Sequence, residues 1–191
     1  MSSRVIGGSA KGQRLKLVPG NNTRPIMDKV KESLFNIIGT NIVGANFLDL
    51  YSGTGAVGIE ALSRGADYAM FTEIDRIALK TINENLTSTK LKTRAEVRMV
   101  NALDLLKNPP QKEFDFIFIA PPQYKNMWLE TLRALDANPS WLAPQTIVVV
   151  QIDPQERNDV LFDHLRDYDE RRYGRTLLWF FEVVADEEVE A

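Results

Sequence analysis

The chain has 191 residues, 44% hydrophobic and 26% charged, with a formal net charge of −3, which suits one globular domain with a sizeable core. Cysteine is absent; this excludes disulfides, thiolate metal sites and a cysteine nucleophile, and is compatible with a reducing cytoplasm. No apolar run approaches the roughly 18 residues that span a bilayer, and the polar start MSSRVIGGSAKGQR does not read as a signal peptide.

The head is basic and reads as a hairpin. Arg4–Gly8 and Arg14–Val18 are strand-like, Ser9–Gln13 supplies the turn, and residues 1–20 hold Arg4, Lys11, Arg14 and Lys16 with no acid. Pro25 then opens a helix, because proline fits a first helical turn. Val30, Leu34, Phe35, Ile37 and Ile38 share one face of that helix, and Gly39 stops it. Asn46–Tyr51 is a first core strand, Gly55–Arg64 a helix stopped by Gly65, and Tyr68–Glu73 a second strand. Asp75–Leu86 is a helix with Ala78, Ile82 and Leu86 in line. Ala95–Val100 and Phe114–Ile119 are further strands, Lys125–Ala137 is a helix with Trp128, Leu132 and Leu135 inward, and Thr146–Ile152 is the fifth strand. Asp153-Pro154-Gln155-Glu156 combines a cap, a first-turn proline and a capping-box acid, so a helix carrying His164 is predicted to begin there. Asp169–Tyr173 and Thr176–Val183 are separated by Gly174-Arg175, too short for a parallel crossover, so they are predicted antiparallel. The tail carries Asp186, Glu187, Glu188 and Glu190 and reads as a disordered, solubilising end. Together these elements outline an α/β fold: a seven-stranded, mostly parallel, doubly wound sheet with a C-terminal antiparallel hairpin and an N-terminal β-hairpin extension. The predicted divisions are a hairpin at 1–22, the main domain at 23–184 and the tail at 185–191.

The segment Asp49-Leu50-Tyr51-Ser52-Gly53-Thr54-Gly55-Ala56-Val57-Gly58 leaves the first core strand and enters a helix, the context in which G-x-G-x-x-G carries meaning. Glycines there let the backbone turn sharply and approach a ligand closely. Glu73 ends the next strand, with Ile74 beside it, and a carboxylate there can accept both ribose hydroxyls of a nucleoside. In dinucleotide enzymes a helix N-terminus faces a pyrophosphate, and nearby negative charge is unfavourable. Asp49 at the strand end instead suits a sulfonium and an ammonium. The loop, with Asp49, Tyr51, Ser52, Gly53, Thr54 and Gly55, therefore points to S-adenosylmethionine and a Rossmann-like class I methyltransferase. Asn101-Ala102 follows the third core strand, where an asparagine amide can read an adenine edge, although asparagine there is also an everyday turn residue.

The fourth strand runs into Ala120-Pro121-Pro122-Gln123-Tyr124. Consecutive prolines at a strand's carboxyl end hold an extended backbone whose carbonyls can accept from an exocyclic amine, orienting its lone pair and offsetting positive charge as a bond forms. Tyr124 can stack on a planar base.

These residues resemble the bacterial 16S rRNA guanine-N2 methyltransferases from Arg4 to about Glu182. Arg4-Val5-Ile6-Gly7-Gly8 with Lys11-Gly12-Gln13-Arg14-Leu15 is similar to that family's hairpin. Thr23-Arg24-Pro25 with the helix after it is similar to the segment preceding its core, and Asp49–Gly55 followed by Gly58, Glu60, Ala61, Leu62, Ser63, Arg64, Gly65 and Ala66 is similar to its cofactor motif. The resemblance implies transfer of methyl from S-adenosylmethionine to the N2 amine of one guanine in the small subunit, with no metal. It implies a hairpin whose Arg4, Lys11, Arg14 and Lys16 grip rRNA phosphates, and Arg24 bordering cofactor and substrate. A cytoplasmic monomer with no membrane association is expected. One departure stands out: the family signature is Asp-Pro-Pro-Tyr, whereas here Ala120 replaces the acid and Gln123 is inserted before Tyr124. The amine then depends on loop carbonyls or on the Gln123 amide.

Two other readings compete. Ala120 motivates a non-catalytic rRNA-binding or ribosome-assembly factor, and the full glycine motif motivates a dinucleotide oxidoreductase. Elsewhere, His164 reads as structural, and Trp141 and Trp179 as core or sheet cover. Arg171, Arg172 and Arg175 either contact RNA or block edge pairing. Gln151 and Asp153 end the fifth strand, where they can touch substrate, Asp153 being better explained as a cap.

Overall fold

The computed structural model describes residues 3–20 and 26–184. Arg24, Pro25 with the predicted proline-led helix start, and the acidic tail lie outside the described residues. The chain divides into the units Met1–Asn101 and Ala102–Ala191.

In the first unit, Ser3–Arg4 (β1) and Arg14–Leu15 (β2) pair antiparallel. Helix α1, Asp28–Ile38, buries Val30, Leu34, Phe35 and Ile38, and Gly39 caps it as predicted; Ile37 turns outward instead. Asn46–Leu50 (β3), Ala56–Ser63 (α2), Tyr68–Glu73 (β4), Arg76–Ser88 (α3) and Ala95–Met99 (β5) follow. The three strands run parallel with β4 in the middle. Helix α2 is buried along its whole length, so it lacks the exposed polar face of an amphipathic surface helix. Phe47, Leu48, Ile59, Leu62, Phe71, Ile82 and Leu86 are sealed from solvent, each contributing about 1.5–3 kcal/mol by burial.

The predicted strands Arg4–Gly8 and Arg14–Val18 shorten to two residues each. The backbone of residues 6–10 pairs with α2 instead. Ile6 and Gly7 donate their N–H groups to Glu60, Ser9 donates to the Ser63 carbonyl, and Ala10 donates to Ser63 Oγ. Gly8 makes that approach possible: at φ 77° a Cβ there would lie 1.8 Å from the Ser63 carbonyl oxygen.

In the second unit, Ala102–Leu106 (α4), Phe116–Ile119 (β6), Met127–Ala137 (α5), Ile147–Ile152 (β7), Leu165–Tyr173 (β8) and Thr176–Val183 (β9) occur in that order. β6 pairs parallel with β7, and β9 runs antiparallel between β7 and β8. The predicted closing hairpin is thus present, and the class is the predicted one: α/β, with seven mostly parallel strands beyond the N-terminal hairpin. Trp141 stacks on Phe114 at 5.9 Å and Trp179 meets Trp128 at 5.7 Å, both in the core as read.

The second unit departs from prediction at the turn after β7 and at the start of β8. The helix expected from Asp153 is a single 3-10 turn, Pro154–Glu156, and His164 sits in the loop before β8. That turn has the predicted cap, but Arg157 after it is extended, at ψ 124°, and its guanidinium lies 4.7 Å from the Trp179 ring. Strand β8 starts at Leu165 rather than Asp169. Its charged first half is a strand because its side chains face outward while its backbone pairs with apolar β9, through a bulge between Asp167 and Asp169.

Candidate active site

The glycine loop is built in the first unit. Ser52 donates its N–H to the Thr72 carbonyl and its hydroxyl to the Asp49 carbonyl, and Gly55 N–H closes the turn on the Ser52 carbonyl. Tyr51, Gly53 and Gly55 all have positive φ, 63°, 55° and 75°, a left-handed path that favours glycine and strains Tyr51. Gly58 serves packing: a Cβ there would lie 2.3 Å from the Phe71 ring.

Asp49 is buried, and its Oδ2 accepts from Gly58 N–H at 3.0 Å. Burial, aided by the Glu73 charge and opposed by the Gly58 hydrogen bond, pushes its carboxyl up to about 7. No basic side chain among the described residues forms an ion pair with Asp49. A buried carboxylate in that state is stabilised by a cationic ligand and not by a pyrophosphate. Glu73 accepts from Gly53 N–H at 3.0 Å, Ile74 N–H at 2.8 Å and Asp75 N–H at 3.1 Å. A carboxylate has about four acceptor sites, so capacity remains for a ribose hydroxyl. Ile74 is 61% exposed beside it and offers apolar surface to a purine. Asn101 is half-buried just after β5, and Ala102 is buried at the start of α4.

The N-terminal hairpin segment, the arm, is anchored on this unit by three buried polar side chains, Glu60, Lys31 and Asn85, none given a role of its own by the sequence. Glu60 and Lys31 are sealed, 3.3 Å apart, and Glu60 also takes Arg64 Nε at 2.8 Å. Burial lowers the Lys31 pKa, and Glu60 partly restores it. Asn85, also sealed, accepts from Lys16 N–H at 2.8 Å and donates to the carbonyls of Lys16 at 3.1 Å and Thr54 at 3.0 Å. One amide thereby fastens the arm to the glycine loop. The available signal was polarity out of place: Glu60 within an otherwise apolar helix, and Asn85 beside Ile82 and Leu86. Of the predicted phosphate-gripping residues, Arg4 pairs with Asp28 at 3.1 Å and Lys16 with Glu84 at 2.9 Å. Lys11 and Arg14 are exposed and meet no carboxylate among the described residues.

The proline loop belongs to the second unit. Ala120 and Gln123 are half-buried, Pro121 is buried, and Pro122 and Tyr124 are exposed. Tyr124 has φ 62° and is held on three sides. Its N–H donates to Glu156 Oε1 at 2.8 Å, its hydroxyl donates to Asp153 Oδ2 at 2.8 Å, and Arg175 Nη2 donates to that hydroxyl at 3.1 Å. Asp153 caps the turn after β7 as read, but it also carries this contact. Hydrogen bonds from Gln155 N–H, Tyr124 and Arg175 hold its carboxyl below the usual range. Tyr124 stays 57% exposed, oriented and available to a planar partner. Arg175, read only as an RNA contact or edge guard, is thus part of the loop's support.

Parallel strands alternating with helices, a glycine turn between strand and helix, and a buried acid held by a backbone N–H with a second acid one strand on define a class I S-adenosylmethionine-dependent methyltransferase. Residues 3–182 match the family described as Conserved hypothetical protein 95. The ribosomal RNA small subunit methyltransferase D of Escherichia coli is 36% identical over 150 residues, covering 78% of this chain and 73% of that one. Its namesake in Haemophilus influenzae is 35% identical over 152 residues, 78% of each chain. The solved structure of yhhF from Escherichia coli matches with a TM-score of 0.84 at 30% identity, covering 96% of this chain and 98% of that one. The chain belongs to this family, that of the small-subunit rRNA methyltransferases D.

Proposed function

We propose that the protein methylates the exocyclic N2 amine of one guanine in 16S rRNA of the small ribosomal subunit. The observation that carries this reading is the family match from residue 3 to residue 182, which takes in the arm, the glycine loop and the proline loop. S-adenosylmethionine supplies an electrophilic methyl group when bound. Asp49 would hold its cationic groups, Glu73 would accept from the ribose, and Tyr51, Ser52, Gly53, Thr54 and Gly55 would form its glycine-turn cradle. Ile74, Asn101 and Ala102 would receive the adenine. On the substrate side, Tyr124 stacks on the guanine, and the backbone of Ala120, Pro121, Pro122 and Gln123 orients the amine. No general base is required, since the methylated amine sheds its proton to water.

The arm, 1–22, is the rRNA-gripping extension of the methyltransferase domain, 23–184, with Lys11 and Arg14 as its principal phosphate contacts and Arg4 and Lys16 as further ones; Arg24 is an RNA-binding residue of the domain that follows. The protein acts as a cytoplasmic monomer; no helix of the described residues is long and apolar enough to cross a membrane. Incubation with methyl-labelled S-adenosylmethionine and unmethylated small subunits tests the reading. Label in 16S rRNA supports it, and label-free RNA from a protein that binds cofactor refutes it.

A further inference from the structure

Ala120 leaves the family's acid position without a side-chain acceptor, and the second unit offers a replacement one strand away. Gln151 Oε1 is a buried atom with no hydrogen-bond partner; it is the one carbonyl-type oxygen among the buried, unpartnered side-chain atoms of the described residues. Buried acceptors are almost always satisfied, and an exception calls for a partner that arrives from outside or for a functional cause. Gln151 lies at the C-terminal end of β7. The β6–β7 ladder pairs Ile119 with Val150, so the next step along brings Ala120 level with Gln151. Residues level with each other in a parallel pair project to the same face, on strands about 4.8 Å apart. A glutamine there is long enough to bring its amide oxygen into the volume that an aspartate at position 120 would fill. The residue as a whole is only half-buried, and a terminal amide torsion is soft, so the oxygen can turn to an incoming donor.

We infer that Gln151 is the catalytic acceptor for the target amine, taking the place of the family's acid. This rests on the N2-methylation reading above. One N2–H is held by Gln151 Oε1, which points the nitrogen lone pair at the methyl carbon. The nitrogen–carbon bond forms as the carbon–sulfur bond breaks, positive charge passes from sulfur to N2, and the amide dipole offsets it until an N2 proton leaves to water. Gln123, the acceptor suggested by the inserted residue, is not level with the vacated position in this ladder.

The test is steady-state methylation of unmethylated small subunits by the full-length wild type, Gln151→Met, Gln151→Glu and Ala120→Asp/Gln151→Met. Cofactor affinity and thermal stability are measured on each. Methionine keeps the length and removes the acceptor. Expected for Gln151→Met is a kcat at least tenfold lower, with cofactor affinity unchanged and stability equal or higher, since an unsatisfied acceptor is gone. Gln151→Glu is expected to stay active, and Ala120→Asp to recover at least tenfold in the Met background. A buried glutamine with a purely structural role would lose stability and gain nothing from an acid at position 120. A Gln151→Met enzyme within twofold of wild-type kcat overturns the inference, as does absence of rescue by Ala120→Asp; should Gln151→Met fail to fold, an inactive but folded Gln151→Glu enzyme overturns it as well. Failure of the wild type itself to methylate RNA refutes the N2-methylation reading instead.

Discussion

The hydroxyl of Tyr124 donates to Asp153 across 2.8 Å, tying the loop after β6 to the capping turn after β7. Arg175, in the tight turn between β8 and β9, closes the triangle by contacting both partners. The ring is thereby fixed before any base arrives, which lowers the ordering cost of stacking.

Tyr124→Phe keeps the ring but loses the tether, and kcat/KM is expected to fall about 3- to 10-fold. Tyr124→Ala also removes the stacking surface, worth roughly 1–3 kcal/mol per base or about 5- to 150-fold. Arg175→Ala is expected to resemble Tyr124→Phe. Steady-state methylation with circular dichroism as a folding control decides the matter. A Tyr124→Ala enzyme of wild-type rate would remove the ring from the mechanism.

Asp49 carries a sign that can be checked. Its folded pKa, pushed up to about 7, exceeds its ordinary 3.8. The penalty for ionising it in the ligand-free protein is therefore absent at low pH and grows as pH rises between those values. A cationic ligand reverses the preference and expels the proton. Affinity for S-adenosylmethionine is expected to rise with pH, up to about tenfold per unit below 7, and to level off above. Asp49→Asn is expected to bind more weakly with a flat profile and to be more stable than wild type at neutral pH without ligand. Calorimetry across that range reads all three; a wild-type affinity independent of pH would count against a cation at Asp49.

Asn85→Ala strips hydrogen bonds from both backbone groups of Lys16 and from the Thr54 carbonyl. Leaving such groups unsatisfied costs about 1–3 kcal/mol each, partly relieved by water. A loss of about 2–4 kcal/mol in urea unfolding is expected, with weaker cofactor binding because Thr54 lies in the glycine loop. Unchanged stability would show that the amide does not hold the arm.

The arm's cations are not equivalent. Lys16 is engaged by Glu84 and Arg4 by Asp28, whereas Lys11 and Arg14 meet no acid among the described residues. Each of Lys11→Ala and Arg14→Ala is expected to reduce the salt slope of RNA binding by about 0.7–0.9, and Lys16→Ala by less. Filter binding across salt concentrations compares them. Equal effects at all three positions would mean that RNA displaces Glu84.

Residues with one strong local preference were legible in the sequence. Apolar runs such as Phe116–Ile119, the glycine turn with Asp49 and Glu73, and the two-residue turn at Gly174-Arg175 each declare their structure without help from distant residues. What escaped depends on partners far along the chain. The strands of the arm shorten because Glu60 and Ser63, more than 50 positions on, take the backbone groups that a longer ladder would use. The first half of β8 is too charged to read as a strand, yet it pairs with apolar β9 and keeps its charges outside. The contact of Arg175 with Tyr124 spans 51 residues and leaves no local trace. Gln151 was seen at the right strand end, but that its amide oxygen lacks a partner is a fact of three dimensions.

Mass mapping of 16S rRNA from small subunits incubated with the purified protein and S-adenosylmethionine bears on the function more closely than any variant. One added methyl group, on N2 of a single guanine, is expected. An unmodified 16S rRNA, or a methyl group on any other atom, would contradict it.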